Sequence, residues 1–362
     1  MTFKINKRGF TLLELLVAVS VTGLLAAMLL NITTQVLTTQ TKAIGDLETN
    51  QAAQFILDRI QEDLQCAVYR NDGNVWLAAT ILENTDNSSV WQEGERGKPN
   101  MASLRITADD WEGPDGEVDD ITEANNQWPL IDSRFGIGGT WLRFFSQAPE
   151  LDPKAENSGG VRAIGYQIIR YGLTGSKTSK ARYQLFRSDV TATETFEAGY
   201  DLDPINGGYG SNAPDGERVP KNIITPIFYD STGASTDFSL ASNIIDFGIR
   251  AYLIDENDEG TGYLRQIFPD VNDSSSGSAP GYELLSTSNP SAISRGNPHA
   301  FPEVVDIMVR ILTTEGASAI SAYEEGLIPV PDGFSEEEYW WELAEGNSEV
   351  YVRRIRVLPS GI

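Results

Sequence analysis

Glu14 is the residue of this chain whose setting most demands an explanation. It follows Phe10, Thr11, Leu12 and Leu13 and precedes an apolar run that ends near Leu30, so one carboxylate lies in a segment otherwise built to avoid water. An ionisable group there costs on the order of a few kcal/mol unless it is paired or near the interface, and its default reading is functional. The plainer alternative is that Glu14 sits close enough to the boundary to stay hydrated.

Other chemistry-bearing residues are sparse. One histidine, His299, lies in a Gly-Asn-Pro-His stretch, and one cysteine, Cys66, follows a helical pattern. Neither a His/Cys zinc cluster nor a Cys-His nucleophile pair can be assembled from them, and no Gly-x-Ser-x-Gly elbow supplies a serine nucleophile. His299 reads as an ordinary loop residue and Cys66 as a small buried apolar group. With one cysteine no intrachain disulfide forms. No enzyme is expected.

Hard cations take clustered oxygen ligands, and the acidic turn from Asp255 to Gly260 resembles the first half of an EF-hand loop. Asp255, Asn257 and Glu259 are its candidate calcium ligands, but the twelfth position is Gln266 instead of a bidentate Glu. A second acidic cluster holds Asp109, Asp110, Asp115, Glu117, Asp119 and Asp120. The competing reading for each is a solvated turn between strands.

The element that must position Glu14 is a helix. Residues 10–30 are long enough to cross a hydrocarbon core of roughly 30 Å at about 1.5 Å per residue. Lys4, Lys7 and Arg8 precede the span and the next basic residue is Lys42, which places the amino terminus in the cytoplasm and exports the chain beyond the span. A secretory signal puts its small-residue cleavage site after the apolar region. Here the small residue, Gly9, lies before it, so cleavage there removes a basic leader and leaves the span attached.

Helical spacing continues through Ala53, Leu57, Ile60, Leu64 and Ala67, with Asp58, Arg59, Glu62 and Asp63 assigned to the opposite, solvated face. This pattern predicts one helix over 10–68, with loosening at Gly23 or Gly45. Beyond it the chain turns β-rich, with strands expected at 75–82, 103–107, 140–146, 161–171, 182–188, 243–254, 303–313 and 350–358. Segments 81–101, 109–135, 189–221 and 270–302 lack periodicity and read as loop insertions. Helices are expected at 317–326 and 335–345, the second opened by a Ser335/Glu338 capping box. It carries Tyr339, Trp340 and Trp341, which point about 100° apart and leave open whether one faces a partner or a loop covers it.

The formal charge is −25, and losing Lys4, Lys7 and Arg8 makes the remainder three units more negative. Such a surface repels phosphate backbones, so no nucleic-acid partner is expected. Arg353, Arg354 and Arg356 read as a solvated strand face paired with carboxylates.

The order of basic leader, Gly9, Phe10 and apolar helix resembles the class III signal of type IV pilins and pseudopilins. The resemblance implies cleavage after Gly9 by a prepilin peptidase, N-methylation of Phe10, and a Glu14 that meets the terminal amine of a neighbouring subunit. Weaker phrases, Ile164–Ile168 with Tyr183–Arg187, then Ile245–Tyr252, Phe301–Val309 and Tyr351–Arg356, are similar to the J-type minor pseudopilins and W-type minor pilins. The long acidic insertions depart from the smaller members. Size and the Arg-rich last strand also resemble the Verru/Chthon cassette protein C type.

The fold implied is α+β and pilin-like, a long amino-terminal helix on a mainly antiparallel head. Its parts are a leader at 1–9, a transmembrane helix at 10–30, a helical continuation at 31–68 and a periplasmic head at 69–362. The function implied is a non-enzymatic minor subunit, assembled near the tip of a pseudopilus or pilus-like filament. Its partners are other pilin or pseudopilin subunits and an inner-membrane assembly platform. The alternative is a membrane-tethered adhesion or ligand-binding protein displayed through the same signal.

Overall fold

Leu12–Gln65 forms one helix, α1, unbroken at Gly23 and Gly45. The structure, a computed structural model, describes residues 11–81, 140–147, 160–172, 181–190, 192–202, 239–256, 260, 262–268, 283–293, 297–334, 336–357 and 360–361. The chain forms two units, Met1–Glu48 and Thr49–Ile362. In the first, every residue from Thr11 to Ile44 is exposed. This helix is long and apolar enough to cross a membrane.

In the second unit α1 buries Ala53, Ile56, Leu57, Ile60 and Leu64 in the head. The spacing of these residues is that of one helix face. Asp63, assigned by sequence to the solvated face, is 3% exposed and belongs to the buried one. It lies three residues from Ile60 and seven from Ile56, which is the buried stripe's own period. Charge alone argues for the outside, and the partners that reverse this lie far along the chain.

After α1 come β1 (Val68–Tyr69), β2 (Val75–Ile81), β3 (Thr140–Gln147), β4 (Val161–Gly172), β5 (Ala181–Val190), helix α2 (Ala192–Ala198), β6 (Ser239–Ser242), β7 (Ile244–Glu256) and β8 (Gly262–Phe268). The remainder holds β9 (Glu283–Thr287), β10 (Asn297–His299), β11 (Val304–Leu312), helices α3 (Thr314–Glu324) and α4 (Glu336–Gly346), β12 (Ser348–Arg356) and β13 (Ser360–Gly361). One sheet has the order β10-β9-β2-β3-β4-β5-β6 and the other β12-β11-β7-β8. Pairing is antiparallel except for β10 with β9 and β1 with β13. The architecture is α+β, an apolar amino-terminal helix followed by antiparallel-rich sheets. Tyr166 of β4 and Phe247 of β7 meet between the sheets with ring centroids 6.3 Å apart.

Several expectations change. The segment 270–302 contains β9 and β10, and His299 is a strand residue. Leu284 and Leu285 of β9 are fully buried. A five-residue strand is too short to show a period among the serines and prolines around it. Likewise 189–221 contains α2, whose Thr195 hydroxyl accepts from Ala163 N–H at 3.1 Å and donates to Val190 O at 3.2 Å. Trp340 and Trp341 are both buried, so neither indole awaits a partner. They form an edge-to-face pair at 5.0 Å, and Trp340 Nε1 donates to Glu324 of α3 at 3.1 Å. The expected strand at 103–107, the acidic cluster from Asp109 to Asp120 and Ser335 lie outside the described residues.

Candidate functional site

Thr11 stands just before the first turn of α1 and closes it with Glu14. The Thr11 N–H donates to Glu14 Oε2 at 2.9 Å, and the Thr11 hydroxyl donates to the same oxygen at 3.0 Å. In return the Glu14 N–H donates to Thr11 Oγ1 at 3.2 Å. This is a reciprocal capping box, and it satisfies backbone donors that a helix start leaves without intrahelical partners. A carboxylate in the first turn also complements the positive end of the helix dipole. Glu14 therefore holds a place that the helix start itself favours, while remaining on an exposed surface.

The hydroxyls farther along the apolar segment are satisfied within the helix. Ser20 Oγ donates to Leu16 O at 2.8 Å and Thr22 Oγ1 to Ala18 O at 2.7 Å. Thr33, Thr34, Thr38, Thr39 and Thr41 bond back in the same way. A hydroxyl that finds its acceptor one turn back does not need water, so these residues are compatible with an apolar surround. Gly9 and Phe10 lie outside the described residues. Thr11 was missed in the sequence, although the Thr-x-x-Glu spacing that signals a capping box was there to be read.

Residues 4–30 match the family model of the prokaryotic N-terminal methylation motif, the signal of type IV pilin type. No curated protein and no solved structure matches the chain. The chain is thus one with a pilin-type signal, and the match spans Lys4, Lys7, Arg8, Gly9, Phe10, Glu14 and the apolar run.

At the other end of α1, Asp63 forms the principal electrostatic cluster of the head. Arg187 of β5 donates to its carboxylate through Nε at 2.7 Å and Nη2 at 3.0 Å, and the Tyr166 hydroxyl donates to Oδ2. Asp189 accepts from Arg187 Nη1 at 2.9 Å, and Arg162 lies 3.4 Å from Asp189. The Asp63 backbone carbonyl accepts from Ser146 of β3 at 2.8 Å. Burial, then the Asp63 carboxylate, push the Tyr166 hydroxyl well above its ordinary range. The bonds to Asp63 raise Arg187 against the opposing effect of its own burial. Tyr166 and Arg187 are direct cross-strand partners, so the β4–β5 register delivers both to one helix residue.

The remaining candidates fall into ordinary settings. Asp255, at the end of β7, is ion-paired with Arg265 across the β7–β8 hairpin, so a cation would have to displace a guanidinium. Asn257 and Glu259 lie outside the described residues, among which no group of three potential metal ligands occurs. Cys66 is half-buried, and burial followed by Asp63 and Glu62 pushes its thiol up, away from the reactive thiolate. Arg353 pairs with Asp58 of α1, and Arg354 grips Asp306 through two bonds of 2.7 Å.

Proposed function

We propose that this chain is a minor pilin or pseudopilin, a non-enzymatic subunit that a prepilin peptidase cleaves between Gly9 and Phe10 and methylates at Phe10. The observation that carries the reading is the methylation motif over 4–30, coinciding with an exposed apolar helix that starts at Thr11 and carries Glu14 in its first turn. Lys4, Lys7 and Arg8 hold the leader in the cytoplasm, α1 anchors the chain in the inner membrane, and the head is periplasmic before entering the filament. Glu14 meets the new terminal amine of a neighbouring subunit, so that two charges neutralise as helices stack. A large head places the subunit near the tip of a pseudopilus or pilus-like filament, where a bulky domain is not repeated along the shaft. An inner-membrane assembly platform and other pilin subunits are the partners.

Intact-mass and amino-terminal analysis of the chain co-expressed with a prepilin peptidase tests this. A product beginning at methylated Phe10 is expected; an uncleaved Met1 form would overturn the reading.

A further inference from the structure

The two sheets end differently. Among the described residues, the seven-stranded sheet ends on short strands, the three residues of β10 and the four of β6. Among the described residues, the four-stranded sheet ends on β12, nine residues long and paired with β11 along its whole length. A long edge strand presents a row of N–H and C=O groups ready to template further pairing, and shortness is one of the usual protections. Among the described residues, that protection is present at both edges of the large sheet and missing at β12.

The side chains of β12 alternate in character. Tyr351, Arg353 and Ile355 face α1: the Tyr351 hydroxyl is 3.0 Å from Thr49 Oγ1, Arg353 binds Asp58 and reaches Gln61 at 3.3 Å, and Ile355 is buried. The intervening residues, Val350, Val352, Arg354 and Arg356, make the other face. Val350 and Val352 are 40% and 62% exposed, and both arginines are exposed. In the row across the sheet Arg250, Asp306 and Arg354 stand side by side, two guanidinium groups to one carboxylate. The row of Arg356 continues into Val304 and Tyr252 and holds no acid. One end of β12 on this face thus carries two exposed arginines and the stretch before it two exposed valines, Val352 in a row with Met308 and Gly248 and Val350 in a row with the buried Arg310 and Asp246, on a chain whose net charge is −25.

We propose that β12 is a strand-addition site for an extended segment of another protein, bearing carboxylates opposite Arg354 and Arg356 and β-branched residues opposite Val350 and Val352. Main-chain bonds supply the affinity in such recognition and alternate side chains the selection. An antiparallel incoming strand continues the alternation of β8, β7, β11 and β12. The site lies on the head and does not depend on the filament reading.

The probe is a fluorescent synthetic nonapeptide with two glutamates and two valines at those alternate positions and threonine elsewhere. It is titrated against the full chain in detergent micelles. A control peptide of the same composition puts the glutamates and valines on opposite faces. Saturable binding is expected for the first peptide only, with slowed hydrogen exchange confined to the β12 amides. Val352→Asp should weaken binding roughly tenfold at unchanged melting temperature, by setting a charge opposite a valine of the peptide and diagonal to its nearer glutamate. Arg356→Glu should act in the same direction. Absence of saturable binding, equal binding of the control, protection away from β12, or indifference to Val352→Asp would each overturn the proposal.

Discussion

Arg187 holds Asp63 with a two-pronged grip, Nε at 2.7 Å and Nη2 at 3.0 Å, across a separation of 124 residues in the chain. The Asp63 side chain is 4% exposed and that of Arg187 13%, so the pair works where water cannot screen it. Desolvating two ions is expensive, and such a pair repays it only when the remaining donors and acceptors are also satisfied. Tyr166 and Asp189 do that here.

Removing one partner leaves the other charge buried. Asp63→Ala is expected to destabilise the head by about 3–5 kcal/mol. Thermal unfolding in micelles measures it. The paired replacement Asp63→Leu with Arg187→Met should lose much less than Asp63→Ala, because no uncompensated ion remains. A double variant as unstable as the single one would show that the cluster acts through shape and not through charge.

Tyr166 makes stability depend on alkaline pH. Burial and Asp63 raise its proton affinity in the folded head, whereas the unfolded chain releases that proton near pH about 10. The folded state binds more protons in that range. The contribution is therefore whole below about pH 10 and declines as pH rises through it. Urea unfolding from about pH 8 to about pH 11 should show the decline. Tyr166→Phe should flatten this part of the profile.

Glu14 has two separable properties, a charge and a capping bond. Glu14→Gln keeps an acceptor for Thr11 and loses the charge; Glu14→Ala loses both; Thr11→Ala leaves the charge and removes the hydroxyl. If neutralisation of an amine drives filament entry, both Glu14 variants fail in a filament-incorporation assay while Thr11→Ala keeps most of it. Amide exchange should quicken at residue 11 in Glu14→Ala and at residue 14 in Thr11→Ala, and change little in Glu14→Gln. Incorporation that tracks exchange would assign the role to the cap.

Gly316 sits in the first turn of α3, its N–H donating to Thr313 Oγ1 at 3.1 Å. A Cβ there would lie 2.5 Å from Asn347 O, a backbone atom that cannot swing aside. Gly316→Ala should cost about 1–3 kcal/mol, the range for overpacking. Gly346, with nothing within 4 Å of an added Cβ, is the control. Gly346→Ala should leave the melting temperature unchanged or raise it.

Calcium is expected to have no effect at Asp255 while Arg265 is present. Titration calorimetry should give no heat and melting should not shift. A rise in melting temperature that Asp255→Asn abolishes would mean that the cation displaces the guanidinium; one that survives Asp255→Asn would assign binding elsewhere.

Local physics explains what could be read early. The apolar run, its basic flank, Gly9, Phe10 and Glu14 are neighbours in the chain, so their meaning needs no tertiary partner. The same holds for α1 and for long strands such as β4, β7 and β11, whose apolar and β-branched residues persist for several positions. Short strands could not be found: β9 and β10 acquire their identity from pairing with each other and with β2.

The sequence by itself determined the helix long and apolar enough to cross a membrane, the pilin-type signal at its start and the α+β character, because each rests on contiguous composition or on a period within one element. Only the tertiary structure decided that Asp63 faces inward, that both tryptophans of α4 are covered and that β12 ends a sheet. Those outcomes depend on groups brought together from distant parts of the chain. Burial of a charge becomes tolerable only when Arg187 and Tyr166 arrive from neighbouring strands, and an edge exists only once the order of strands is set.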